Sequence, residues 1–289
     1  MNDFLSKVLN DYIEKVNSSL DQRISAWDCS IADREVRDSI GGLMARQVTL
    51  ATNFAANPGI WNPHVAPIFL RCMADVYITF CWIIKDTQAR CRQFIEYGLG
   101  QEKLAIEKYK EQVLKEDGDI GTEVREFIEI REKMLEVERH SFLVPVNLGS
   151  WSEMSTRTMA QEVGEERFYD YVFVQFSSSI HSTWQHIWRF NLLPCTNPLH
   201  GCHRVPVNPI LPPDLQQLMN AAKYLCKVFR KFDCEMLKLN NLKHSYSTYD
   251  FLDNEFVKYG KENRTGEQRK KGRIRHRRTK GRNSLKRKK

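Results

Sequence analysis

Apolar side chains recur every three or four residues through most of this chain, and that spacing restricts it to helical folds. The first such segment places a row of apolar side chains on one helix face: Leu5, Val8, Leu9, Tyr12 and Val16. Alternation of apolar and polar residues, which indicates a half-buried strand, continues nowhere for more than a few positions. The sequence therefore predicts an all-α protein.

Helix-breaking residues and N-caps divide this pattern into separate helices. Asn57-Pro58-Gly59 ends one helix, Gly164 ends another, and Asp214 is a good N-cap for the last long one. The segment 166–193 is predicted to be one continuous helix, and its buried stripe would contain Phe176 and Trp184. The other helices are predicted over residues 63–85, 87–115, 122–140 and 150–162.

The C-terminal segment differs in kind from the rest of the chain. Residues 261–289 contain 15 Lys or Arg and two Glu, a net charge of +13, whereas the whole chain carries +8 and residues 1–260 therefore −5. Such a segment buries too little apolar surface to offset the entropy lost on ordering. We expect one large, bundle-like helical domain over residues 1–250 and a disordered basic tail over residues 251–289.

A strongly basic segment attracts polyanions, and nucleic acid is the polyanion that we expect to bind this tail. A localisation signal and contact with acidic protein partners are the alternatives. The residues expected to contact nucleic acid are Arg273, Arg275, Arg277, Arg278, Lys280, Arg282, Lys286, Arg287 and Lys288.

The sequence predicts a cytoplasmic protein that binds no membrane. The N-terminal segment has no apolar region of the kind found in signal peptides. The longest apolar run, residues 76–84, is far shorter than the roughly 20 residues that span a bilayer. Most of the eight cysteines lie within apolar helical patterns and are typical of core residues in a reducing compartment. Formation of homo-oligomers remains open.

The helix predicted over residues 166–193 carries the best candidates for chemistry. A polar stripe that includes Tyr171, Ser178 and Arg189 runs along one face, and His181 lies beside Ser178 at a spacing of three residues. His181 could act as a general base while Ser178 or Tyr171 orients a substrate. A buried hydrogen-bond network that ties helices together is the alternative.

Arg71 and Asp75 form a second candidate pair, because a spacing of four places them on one face of an apolar helix. Asp75 could hold Arg71 in position to receive an anionic substrate. An internal, bidentate ion pair that fixes helix packing is the interpretation we favour.

Residues 195–203 contain four side chains of the kinds that bind zinc: Cys195, His200, Cys202 and His203. Their spacing is not that of a closed zinc finger, and the adjacent Cys202 and His203 are poorly placed to reach one ion. We therefore expect no metal and no other cofactor.

Four stretches of the sequence resemble a widespread, mostly bacterial family that is known only as a domain of unknown function. Together they extend over roughly residues 40–205. They are Ile60-Trp61-Asn62-Pro63 with residues 71–75 and 82–86, then residues 90–97 with Lys108-Tyr109-Lys110, then residues 151–164, and finally residues 171–181.

The helical character of that family, and its occurrence beside mobile elements and defence genes, resemble the HEPN ribonucleases of prokaryotic conflict systems. Those enzymes pair an Arg with a His four to six residues later on one helix. In this chain the positions four to six residues before His181 hold Ser177, Phe176 and Gln175. A ribonuclease would therefore need an arginine from another helix, such as Arg71, Arg90 or Arg92.

The sequence thus favours a nucleic-acid-associated protein, in its specific form an RNA-targeting effector of a bacterial defence or mobile-element system. The alternative is a module without catalysis that senses a small ligand or binds another protein. Neither composition nor motifs decide whether the chain is an enzyme.

Overall fold

The computed structural model describes residues 3–117, 121–142 and 154–259, and helices make up most of these ranges. The predicted all-α class is confirmed. The helices are α1 (Asp3–Ala26), α2 (Arg34–Ala56), α3 (Ala66–Lys85), α4 (Thr87–Asp117), α5 (Thr122–Phe142), α6 (Thr156–Glu162), α7 (Glu166–Phe168), α8 (Val174–Ile180), α9 (Trp184–Phe190), α10 (Leu215–Glu235) and α11 (residues 247–259).

Helix α3 forms the centre of the bundle, packing against α2, α6, α8 and α10. Its start is fixed by Asn62, whose Oδ1 accepts hydrogen bonds from the backbone N–H groups of His64 and Val65 at 3.0 and 3.2 Å. Within the helix, only Ile68 and Lys85 are exposed, as its apolar composition predicts.

By length and composition α3 could also cross a membrane, and it is the one helix in the described ranges that meets this test. Half of its apolar window is buried inside the protein. Core helices meet the same criterion, and the helices that surround α3 account for its apolar surface.

A buried ion pair joins α1 to α10. Arg23 donates from Nε to Oδ1 of Asp233 at 2.8 Å and from Nη2 to Oδ2 at 2.7 Å, and both side chains are almost fully buried. Ser245, in a short 3₁₀ turn before α11, donates to Oδ2 of the same carboxylate at 2.6 Å. This arrangement satisfies the buried charges and connects three elements that are distant in sequence.

Helices α4 and α5 form a charged hairpin with a small core of its own, made by Ile106, Ile128 and Leu135. Ion pairs link the two helices on either side of that core. Lys110 donates to Glu132 at 2.6 Å, and Arg131 donates to Glu102 at 2.7 Å.

Helix α11 extends the folded body beyond residue 250, the boundary predicted from the sequence. Residues 251–259 are helical, Leu252 is fully buried, and Tyr259 stacks on Phe4 with 4.3 Å between ring centroids. The predicted tail residues from 260 onward lie outside the described residues.

The single helix predicted over residues 166–193 is not continuous. A π-helical turn (Tyr169–Phe173) joins α7 to α8, and α8 ends at Ile180. Ser182 then adopts a left-handed φ of 46°, and Thr183 is extended, which starts the separate helix α9. After α9 come two short antiparallel strands, β1 (Leu192–Pro194) and β2 (Arg204–Pro206), in which Leu193 pairs with Val205.

Candidate functional site

Helix α9 presents two tryptophans to the outside of the protein. Trp184 and Trp188 are 63% and 39% exposed, whereas His186, on the opposite face, is only 9% exposed. The prediction that Trp184 belongs to the core is therefore wrong. The break at residues 181–183 resets the helical phase, so the apolar stripe predicted for a continuous helix does not extend into α9. Phe176, before the break, is partly buried and packs against the core.

Two arginines lie near the ring of Trp188. The guanidinium of Arg189 lies 5.7 Å from the ring centroid of Trp188, and that of Arg204, on β2, lies 5.5 Å from the same ring. The pairing of β1 with β2 therefore places Arg204 beside α9, although it is 16 residues from Trp188 along the chain. We call Trp184, Trp188, Arg189 and Arg204 the tryptophan surface.

The predicted catalytic group around His181 does not assemble in the structure. His181 is exposed at the end of α8, and Tyr171 is 72% exposed. The Ser178 hydroxyl donates to the carbonyl of Gln175 at 3.0 Å. Within the described ranges, no hydrogen bond joins the side chain of His181 to either residue. Their catalytic role stays a prediction.

Arg71 pairs with Asp75, but the pair is not the internal, bidentate one that the sequence favoured. Nη1 of Arg71 donates to one carboxylate oxygen, so the pair is not bidentate, and the Asp75 side chain is 45% exposed. Nε of Arg71 donates to Ser177 Oγ at 3.3 Å, which ties α3 to α8. Burial lowers the pKa of Arg71 to about 10, and the guanidinium lies over the ring of Phe173. These contacts favour a packing role for the pair.

A histidine pair that sequence reasoning missed joins α9 to the segment before α3. Nε2 of His186 and Nδ1 of His64 are 3.3 Å apart, and Nδ1 of His186 is 3.0 Å from Ser179 Oγ. Burial, and then the neighbouring His64, lower the pKa of His186. Nε2 of His64 is buried without a hydrogen-bond partner. A chain of this kind could pass a proton, but it is closed to a bulky substrate.

No local signal could have revealed that pair, because His64 and His186 are 122 residues apart. The break between α8 and α9 did leave a signal. Ser182-Thr183 precedes Trp184, and both Ser and Thr favour N-cap positions over helix interiors.

The loop between β1 and β2 brings three of the four potential metal ligands together. The ligand atoms of Cys195, His200 and His203 all lie within 4.8 Å of one another. Cys202 is not part of this group. It is exposed and has a left-handed φ of 63°.

A second polar site lies between α3 and α10. Tyr77 donates to Oε1 of Glu165 at 2.5 Å, and Lys227 contacts Oε2 of the same carboxylate at 3.4 Å. Burial raises the pKa of Tyr77 far above its ordinary value. Arg230 and Lys231 line the same cavity, whose volume is about 230 Å³.

The nine basic residues predicted to contact nucleic acid, from Arg273 to Lys288, all lie outside the described residues. Their predicted role therefore depends on the charge of the sequence alone.

The described residues thus form a mainly helical protein in which one surface, on α9 and β2, carries two exposed tryptophans and two arginines. The chain belongs to the family of unknown function DUF5677, whose model matches residues 38–196. This confirms the resemblance to a family of unknown function. The chain has no significant match among the curated proteins or among the solved structures.

Proposed function

We propose that this protein binds single-stranded nucleic acid. The observation that carries the proposal is the tryptophan surface, in which two exposed indoles lie one helical turn apart on α9. Indole rings stack on unpaired bases, and this stacking tolerates any sequence because every base has an aromatic face. Core packing does not explain why two such large apolar side chains face outward at this spacing.

Arginine supplies the second requirement of a single-strand site, which is contact with the phosphate backbone. Arg189 and Arg204 approach Trp188 within about 6 Å, so a base stacked on that ring would have its phosphate within reach of a guanidinium. Helix α9 and strand β2 thus contribute different parts of one surface.

The basic C-terminal segment would supply most of the sequence-independent affinity. It carries +13, while residues 1–260 carry −5. The body alone has a net charge that repels a polyanion, and local stacking on the tryptophan surface would act on strands that the tail has already attracted.

Fluorescence anisotropy with a labelled 20-nucleotide RNA, its DNA equivalent and an RNA duplex tests the proposal. Stacking of one base on an aromatic side chain contributes about 1–3 kcal/mol. We therefore expect Trp188→Ala to weaken single-strand binding by about 5- to 150-fold, and Trp184→Ala to weaken it in the same range.

Phe127→Ala is the matched control, because Phe127 is an aromatic residue that is 49% exposed on a different helix, α5. It should leave the dissociation constant unchanged. Equal affinities of wild type and both tryptophan variants would contradict the proposal. Equal losses on duplex RNA would show that the surface does not select single strands.

The more specific form of the proposal is an RNA-targeting effector of a defence or mobile-element system. Incubation of the same RNA with wild-type protein, followed by a denaturing gel, tests for cleavage. If the RNA is cut, His181→Ala should abolish cutting without weakening binding, because the exposed His181 lies outside the tryptophan surface. Intact RNA would limit the function to binding.

A ligand-sensing module is the second candidate, and the cavity beside Glu165 favours it. Lys227, Arg230 and Lys231 line a space of about 230 Å³ together with Glu165 and Glu235, which pair with the two lysines, so Arg230 is the cation that we expect to contact a small anion. Isothermal titration with inorganic phosphate, with Arg230→Ala as the variant, tests this candidate independently of nucleic acid.

A further inference from the structure

We propose that the loop between β1 and β2 binds one zinc ion through Cys195, His200 and His203. Their ligand atoms lie within 4.8 Å of one another, and Cys195 Sγ is 3.7 Å from His200 Nδ1. In a tetrahedral zinc site with ordinary Zn–S and Zn–N bond lengths, sulfur and nitrogen ligands are about 3.3–3.8 Å apart. The thiol and this ring nitrogen therefore already have the separation that a shared zinc ion requires.

The backbone holds these ligands together without help from the metal. The N–H of Cys195 donates to the carbonyl of His203 at 2.9 Å, which continues the pairing of β1 with β2 into the loop. The N–H of His203 donates to the carbonyl of His200 at 3.1 Å. Since the pairing of β1 with β2 fixes both ends of the loop, the loop would lose little conformational entropy when it binds a metal ion.

Asn197 orients the first histidine of the group. Its side-chain amide nitrogen lies 3.1 Å from Nε2 of His200, so that Nδ1 is the ring nitrogen facing Cys195. Zinc binding through Nδ1 requires the ring proton on Nε2, so the Asn197 amide would have to rotate and present its oxygen to that N–H when the metal binds.

One thiolate and two imidazoles select a borderline or soft transition metal, and zinc is the ordinary choice in a reducing compartment. Three protein ligands leave the fourth position of the tetrahedron for water, and the exposure of His200 and His203 leaves room for it. The neighbouring Cys202 has a left-handed φ and does not join the group.

This site lies beyond the proposed nucleic-acid binding. His203 directly precedes Arg204, so a bound ion would stiffen the strand that carries one arginine of the tryptophan surface. The zinc site can nevertheless be present in a protein that binds no nucleic acid, and it is tested by metal binding alone.

Titration of the chelator-treated full-length protein with Co²⁺ is the direct test. We expect one Co²⁺ per chain, with the visible absorption of a tetrahedral site, an ultraviolet band from sulfur-to-cobalt charge transfer, and displacement of both by one equivalent of Zn²⁺. Elemental analysis of protein purified without chelator should find one zinc per chain.

Cys195→Ser should remove the charge-transfer band, and His203→Ala should weaken Co²⁺ binding by at least about 100-fold. Cys202→Ser is the matched control, since it removes an exposed thiol of the same loop and should leave spectrum and affinity unchanged. Circular dichroism of each variant verifies that the helical fold is retained. Absence of stoichiometric metal, or loss of the sulfur band in Cys202→Ser but not in Cys195→Ser, would overturn the proposal.

Discussion

Two tryptophans of this chain, Trp61 and Trp184, occupy opposite environments. Trp61 is fully buried and donates from Nε1 to the carbonyl of Phe54 at 2.7 Å, whereas Trp184 is 63% exposed. We expect Trp61→Ala to lower the free energy of unfolding by about 3–5 kcal/mol and Trp184→Ala to change it by less than about 0.5 kcal/mol. Urea denaturation followed by circular dichroism measures both. A large loss for Trp184→Ala would show that α9 is turned inward.

The buried His186, paired with His64, predicts a pH dependence of stability. The pKa of His186 is lowered in the folded protein, so the unfolded chain binds more protons in the interval below the ordinary value of about 6.5. Stability should therefore be complete above that value and fall as the pH drops towards the folded pKa. His64, Ser179 and Arg189 face the ring, and none of them is an acid that would favour its charged form.

Urea midpoints between pH 7.5 and pH 5.0 measure this effect, and His186→Gln should reduce the pH slope. His181→Gln is the control, because that histidine is exposed and should leave the slope unchanged. An identical slope in wild type and His186→Gln would show that His186 does not cause the pH dependence of stability.

At the residue scale, the sequence predicted short-range pairs better than long-range ones. Arg71 and Asp75 meet because four residues of helix bring them together, whatever the rest of the chain does. The contact of His186 with His64 depends on how α9 packs against the start of α3. A single sequence contains no periodicity from which that packing follows.

At the scale of elements, the long amphipathic helices were predictable, because the extent of each apolar stripe agrees with the positions of the helix-breaking residues at its ends. The prediction of one helix over residues 166–193 was wrong. The apolar residues keep helical spacing across the junction between α8 and α9, but the backbone there is not helical. Ser182 adopts a left-handed conformation there, which the residue type alone does not require. The short strands β1 and β2 were missed because three-residue strands are too short for alternation to be recognised.

The ion pair between α1 and α10 carries an element-scale prediction. Asp233→Ala would leave the guanidinium of Arg23 buried without its carboxylate, and we expect this to lower the free energy of unfolding by about 3–5 kcal/mol. The exposed pair Arg34–Asp38 is the comparison, and Asp38→Ala should cost no more than about 1 kcal/mol. Similar losses in the two variants would argue against the special role of the buried pair.

Helix α11 predicts different results for two truncations. Ending the chain after Gly260 removes none of the described helices, whereas ending it after Asp250 removes the buried Leu252 and the ring of Tyr259 that stacks on Phe4. We expect the longer fragment to keep the melting temperature of the full chain and the shorter one to melt at a lower temperature. Equal melting temperatures would show that the folded body ends before α11.

At the scale of the whole molecule, charge is divided between a body of −5 and a C-terminal segment of +13. Truncation after Gly260 should therefore remove most of the non-specific affinity for nucleic acid. It should also flatten the plot of log affinity against log salt, to which each phosphate contact contributes about −0.7 for single strands. Full-length and truncated proteins with the same affinity and slope would exclude the segment as a nucleic-acid contact.

The junction between α8 and α9 also affects the direction in which the side chains of α9 face. Along a continuous helix, each residue turns the next side chain by about 100°. The non-helical residues 181–183 interrupt this relation between α8 and α9. The three positions 181–183 therefore determine which way the indoles of α9 face, although none of these residues belongs to the tryptophan surface. In a helix that continued through them, Trp184 would lie only about 80° around the axis from Phe176, which packs against the core. Without the break, the same residues of α9 would present a different face to the core.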